Sequence, residues 1–201
     1  MSARAQTTIQ NDDSPPGVFI TSQIIQNEGN AGTTPFVFSV NLTNPSALTT
    51  TVDFATIANT ASSPVDYEFN SGTLTFAPLS TSQSITVLVN GDAVCENLES
   101  FFVQLSNPQN ATIIGTGRGT GFITNDDPFP SVKINDVTLA EGNTGTKSFV
   151  FDLTLSPPSE VTSSVGYFTM DGDASETSDY QADANIAPSR RSPHPVRSRS
   201  S

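Results

Sequence analysis

Acidic side chains crowd one short stretch of this chain. Residues 90–105 read Asn-Gly-Asp-Ala-Val-Cys-Glu-Asn-Leu-Glu-Ser-Phe-Phe-Val-Gln-Leu, with Asp92, Glu96 and Glu99 close together and no base among them. Carboxylates gathered at the rim of an apolar core repel one another unless a cation joins them. Oxygen donors with no histidine or cysteine nearby suit a hard ion such as Ca2+, whereas zinc takes nitrogen or sulfur. Further acids stand beside turns at Glu28, at Asp66 and at the pair Asp126 and Asp127. Singly, each reads as a solvated loop acid. Taken together, Glu28, Asp66, Asp92, Glu96, Glu99, Asp126 and Asp127 offer more than one calcium ion needs, at about six to eight oxygens per ion once loop carbonyls join. The set points to a site for two or more ions.

Such a site requires elements that bring remote loops together. Residues 84–89 alternate with Ile85, Val87 and Val89 on one face, and 99–105 with Phe101, Val103 and Leu105. Glu99 shares the parity of Phe101, so a strand aims it at the core side of the sheet's end. The same alternation marks 36–42 (Phe36, Phe38, Val40, Leu42), 50–55 (Val52, Phe54) and 73–76 (Leu74, Phe76), while 18–20 leads towards Glu28 and 116–124 ends with Phe122. Turns fall at Asn44-Pro45, Asn70-Ser71-Gly72, Asn90-Gly91 and Asn107-Pro108. About seven short strands at this spacing predict an all-β, antiparallel, immunoglobulin-like β-sandwich. Its up-and-down strands deliver alternate loops to the same end.

The chain repeats itself. Glu28-Gly29-Asn30 returns as Glu141-Gly142-Asn143, Phe36-Val37-Phe38 as Phe149-Val150-Phe151, and Asp66-Tyr67 as Asp179-Tyr180, all at an offset of 113 residues. Ile9-Gln10-Asn11-Asp12-Asp13 is echoed by Ile123-Thr124-Asn125-Asp126-Asp127. Residues 1–13 therefore read as the last strand of a preceding copy, 14–127 as a complete copy and 128–180 as the N-terminal half of another. Residues 181–201, rich in Arg, Ser and Pro, read as a disordered basic tail.

Glu28-Gly29, Asp66-Tyr67 followed by 72–76, the acids of 92–99 running into Phe101-Phe102-Val103, and the closing Asn125-Asp126-Asp127 resemble the Calx-beta domain, the β-sandwich module of sodium–calcium exchanger regulatory loops, integrin beta-4 and bacterial surface proteins. The resemblance spans all of 14–127. It implies calcium ions clustered at one tip and carries the same seven acids over as ligands. Gly91 stands where a further Asp often occurs, and Pro128 where a third acid can follow the aspartate pair. In the second copy Glu141 and Asp179 match but the remaining acids have no counterpart, so no competent site is expected there.

Composition bounds the function. A net charge of −12 argues against nucleic-acid or anionic-membrane binding through the body, and Arg190, Arg191, Arg197 and Arg199 make up half of the eight basic residues. The single Cys95 excludes an internal disulfide and a thiolate metal centre. No apolar run is long enough to span a bilayer, and no signal peptide is evident. The expectation is a calcium-binding structural or adhesion module in a tandem array, partnered by neighbouring copies or surface proteins, extracellular or at the cell surface as part of a larger protein. The alternative is a metal-independent spacer or cell-surface interaction repeat. An enzyme, such as a glycosidase with paired carboxylates, is not expected, because the only histidine, His194, lies in the tail.

Overall fold

Period-two alternation decides which side chains enter the core. The computed structural model describes residues 14–188. Its first nine strands are β1 (Gly17–Ile20), β2 (Gln23–Asn27), β3 (Gly32–Leu42), β4 (Thr50–Ala58), β5 (Ser71–Phe76), β6 (Ser82–Gly91), β7 (Glu99–Gln109), β8 (Thr112–Ile113) and β9 (Arg118–Thr124). They form two sheets, in the orders β6-β3-β1-β8 and β2-β9-β7-β4-β5. Phe36, Phe38 and Val40 of β3, Val87 and Val89 of β6, and Phe101 and Val103 of β7 have no exposed surface. Phe101 is the hub. Its ring stacks on Tyr67 at 4.6 Å and meets Phe36 and Phe38 at 5.8 and 6.1 Å. Burying one such aromatic side chain stabilises by about 1.5–3 kcal/mol, and ring pairing adds roughly 0.5–1.5 kcal/mol.

The sandwich is antiparallel except in two pairings. β1 runs parallel to β8, and β2 parallel to β9. The cause is a crossing at Thr21 and Ser22. Thr21 N donates to the Ser39 carbonyl in one sheet at 2.8 Å, while the Ser22 carbonyl accepts from Thr120 N in the other at 3.0 Å. The N-terminal segment thus serves both sheets in turn and delivers Glu28 beside the end of β9. On β9 the inward residue is Ile123, 3 % exposed, and Phe122 takes the other face.

Four more strands follow: β10 (Ser131–Ile134), β11 (Leu153–Ser156), β12 (Ser164–Phe168) and β13 (Ala184–Pro188). They pair as β10-β11 and β12-β13, both antiparallel. One correction arises here. The tail expected to be disordered from residue 181 contains β13, whose pairing of Phe168 with Ala184 repeats that of Ala55 with Ser71 one period earlier. Backbone hydrogen bonding preserves the strand although its side chains have left the repeat pattern. Residues 1–13, expected from the repeat to close a preceding copy, and the stretch with His194 and the four arginines lie outside the described residues. Phe149 and Phe151 are 42 % and 50 % exposed, whereas their repeat counterparts Phe36 and Phe38 are wholly buried. Among the described residues, the second unit has no counterpart of β6 or β7 to cover them. No described helix is long and apolar enough to cross a membrane.

Candidate metal centre

Four segments meet at one end of the sandwich, and main-chain groups fix each of them. Glu28 follows β2, and its main-chain N–H donates to the Thr124 carbonyl at 3.3 Å. Gly29 N donates to Asp126 Oδ1 at 3.2 Å, and Asn30 Nδ2 to Asp127 Oδ1 at 2.9 Å. Asn125 joins the next pair of segments. Its Oδ1 accepts from Glu96 N at 3.0 Å and its Nδ2 donates to the Asp127 carbonyl at 2.9 Å. Asp92 closes its own loop by accepting from Val94 N at 2.7 Å. Asp66 Oδ2 accepts from Ser62 N at 2.7 Å, and the Asp66 carbonyl accepts from Asn90 N at 2.8 Å, which holds this loop on the end of β6. Asn90 Nδ2 donates to the carbonyls of Pro64 and Val65 as well.

All seven acids singled out from the sequence come to this end. Asp66, Glu96 and Glu99 each place a carboxylate oxygen within 4.8 Å of the others. Glu28 senses the rest. Its carboxyl is pushed up from 4.5 to about 8, first by burial and then by the charges of Glu96, Asp92, Asp127 and Asp126. Glu99 is also pushed up to about 8, by burial first, then by Asp66 and Glu96, with a smaller contribution from Glu160. Glu96 belongs to both neighbourhoods. Glu28 and Asp127 are only 4 % and 5 % exposed, and Asp126 is exposed.

Three oxygens here are buried without a hydrogen-bond donor: Glu28 Oε1, Glu99 Oε2 and Asp127 Oδ2. Leaving such an atom unpaired costs about 1–3 kcal/mol, more when it is charged. Arg118 donates to Gln104 Oε1 and lies over Phe102, and Lys147 donates to the Ala140 carbonyl. Carboxylates and loop carbonyls with orphaned buried oxygens fit a hard divalent cation held by oxygen. Among the described residues Asp66, Glu96 and Glu99 are the one group whose oxygens all lie close enough to share an ion.

Several contributors were not apparent from composition or spacing. Asn30 and Asn125 align the acids without being acids. Gly91 is needed for space, because a Cβ there would stand 1.9 Å from the Gly29 carbonyl oxygen and 2.8 Å from that of Glu28. A side chain at this position would collide with the backbone that carries Glu28, so glycine admits the crossing segment and does not merely omit a charge. Glu160 comes from the second unit, at a place no repeat or acidic run marks. In that unit Glu141 is exposed, and Asp179 accepts from Ser175 N at 2.9 Å, as Asp66 does from Ser62 one period earlier.

The sequence profile of the Calx-beta domain matches residues 11–128 and again 129–186. Sodium/calcium exchanger 1 of Canis lupus familiaris is 36% identical over 104 residues, which make up 50% of this chain and 10% of the exchanger. The Rattus norvegicus exchanger is 39% identical over 87 residues, 43% of this chain and 8% of that protein. The chain therefore spans about a tenth of the length of the curated relatives it matches. Among solved structures, the apo-form Calx CBD1 domain superposes with a TM-score of 0.50 at 23% identity, covering 55% of this chain and 99% of that one. CBD12 from CALX1.2 gives 0.52 at 21% identity, covering 87% and 70%. At these identities the likeness is one of fold.

Proposed function

The chain belongs to the Calx-beta domain family, and on that premise we propose that its complete copy, residues 14–127, is a calcium-binding module whose ions are held by carboxylates at one end of the sandwich. The orphaned buried oxygens of Glu28, Glu99 and Asp127 carry this reading. Asp66, Glu96 and Glu99 hold one ion, and Glu28, Asp92, Asp126 and Asp127, whose charges meet at Glu28, are the acids around which a second would gather once their side chains close up on it. Bound Ca2+ supplies the positive charge that these acids lack, and the side-chain hydrogen bonds of Asn30, Asn90 and Asn125 set the ligands in place beforehand. Because Asp126 and Asp127 lead directly into Pro128 and the second unit, occupancy of the tip also stiffens the joint between copies. The module binds and regulates rather than catalyses. Adhesion and an extracellular location gain no support from relatives that are sodium/calcium exchangers, and neither belongs to the proposal.

Calorimetric titration of the full chain with Ca2+, after treatment with EGTA, tests this. The expected result is saturable binding with a raised melting temperature, both lost in the double variant Asp92→Asn, Asp127→Asn. A chain that shows neither binding heat nor a melting shift is the metal-independent spacer instead.

A further inference from the structure

In the complete copy β3 has two neighbours that use different parts of it. β1 pairs with residues 40–42 alone, whereas β6 pairs with residues 32–41. One period later the second unit keeps the first pairing, as β11 against β10, and lacks the second among the described residues. Residues 145–152 repeat 32–39 but form no strand, and the main chain of 145–151 makes no hydrogen bond among the described residues. The side chains still alternate as a strand's do. Phe149 and Phe151 repeat Phe36 and Phe38 and stand half-exposed, and Val150 between them is 67 % exposed. An extended stretch with an apolar face and an unused edge is a template for a further strand, and a two-stranded ladder is marginal by itself. In the complete copy β6 meets Phe36 with Val87 and Phe38 with Ile85. A strand that pairs here therefore needs two large apolar side chains two residues apart. Neither terminal segment has them: 1–13 holds Met1 and Ile9, and 189–201 holds Val196. The stretch itself does, in Phe149 and Phe151.

We propose that residues 145–155 form an interface with a second copy of this chain, pairing antiparallel with the same residues of that copy about a twofold axis beside Val150. This register sets Phe149 of each copy opposite Phe151 of the other and Val150 opposite Val150, and it joins the two β10-β11 ladders into one four-stranded sheet. The contact is self-complementary, as a closed pair requires, and aromatic cross-strand pairs favour it. At about 100 Å2 for each half-exposed ring, the rings, Val150 and the strand edge offer on the order of 500 Å2 per copy, near the ~1,000 Å2 in total at which specific interfaces begin. A weak dimer follows. It needs no cation and stands apart from the calcium reading. The net charge of −12 on each copy opposes association, so added salt tightens it.

Sedimentation velocity of the full chain in EGTA, across the micromolar range and at low and high salt, reads the association. It compares wild type with Val150→Lys and with Val37→Lys, the repeat-equivalent change on β3, where Val37 is exposed but the edge is already paired with β6. Wild type should pass from monomer to dimer with rising concentration, more tightly at high salt. Val150→Lys sets two ammonium groups opposite each other across the axis and should weaken the dimer by about fivefold or more. It also lowers the net negative charge, which by itself favours association, so the loss cannot come from overall charge. Val37→Lys should dimerise as wild type does. A second measurement reads the register. Cys95 is buried, so a nitroxide attaches to the new thiol of Val150→Cys, and dipolar broadening should appear as the dimer forms. A chain that stays monomeric overturns the proposal. A dimer that Val150→Lys leaves intact, or that Val37→Lys weakens equally, forms through another surface and overturns it too. Dimerisation without dipolar broadening overturns the axis beside Val150, and assemblies that grow beyond two copies overturn the closed pair.

Discussion

Replacing Glu28 with glutamine separates a metal ligand from a solvated acid, because its effects with and without the ion have opposite signs. In the ion-free sandwich the Glu28 carboxyl is raised from 4.5 to about 8, by burial and then by Glu96, Asp92, Asp127 and Asp126. A carboxyl with a folded pKa above its unfolded one contributes stability that is whole below pH 4.5 and is lost as pH rises through about 8. Ion-free wild type should therefore weaken between pH 5 and pH 9. Glu28→Gln mimics the protonated form at every pH and should keep this contribution, leaving only the similar slope due to Glu99. A tenfold difference in proton affinity between folded and unfolded chain corresponds to about 1.36 kcal/mol. Water at the exposed Asp126 side screens the site, so about 1–2 kcal/mol is expected at pH 9, well below the unscreened value. In a sandwich of this size that corresponds to a melting temperature about 4–10 °C above wild type. Saturating Ca2+ reverses the order. Wild type gains about 2.7 kcal/mol at a hundredfold excess of ion over Kd, and the variant forfeits most of that gain. Thermal melts of the full chain at pH 5, 7 and 9, in EGTA and in Ca2+, provide the measurement. A variant that melts below wild type at pH 9 without ion would refute the reasoning, as would an equal calcium shift in both proteins.

The geometry yields further expectations. Calcium uptake near pH 7.5 should release about one to two protons, because Glu28 and Glu99 must ionise to bind it, and none at pH 9.5; titration in buffers of different ionisation enthalpy counts them. Gly91→Ala should cost about 2–3 kcal/mol and weaken calcium binding, because its Cβ meets backbone oxygens of Gly29 and Glu28 that cannot yield without moving the tip. Urea denaturation and titration of that variant check both effects. Phe101→Ala removes the ring shared by Phe36, Phe38 and Tyr67 and should cost about 3–5 kcal/mol, read as a lower denaturation midpoint.

The features legible in the sequence were those written locally. Alternation is a two-residue signal, and it identified the buried faces of β3, β6 and β7 through Phe36, Val87 and Phe101 and the residues two places on from each. The acids stood out only as a set, because several loop carboxylates recur beside apolar strands and part of the set returns at repeat-equivalent positions. What stayed hidden depends on segments far apart in sequence. Phe122 is larger than Ile123, yet Ile123 faces inward because β9 pairs with β7 in a register that opposes Glu99 to Ile123. Register is fixed by both strands together. The parallel β2 depends on the crossing at Thr21 and Ser22, where neither residue type announces a change of sheet. Gly91 looks like a turn glycine or a missing ligand until the Glu28 segment is seen passing over it. Glu160 sits in a plain Pro-Pro-Ser-Glu turn, and only the pairing of Ser159 with Cys95 sets that turn beside the acid-bearing loop. In each case the missing information is which two backbones approach each other.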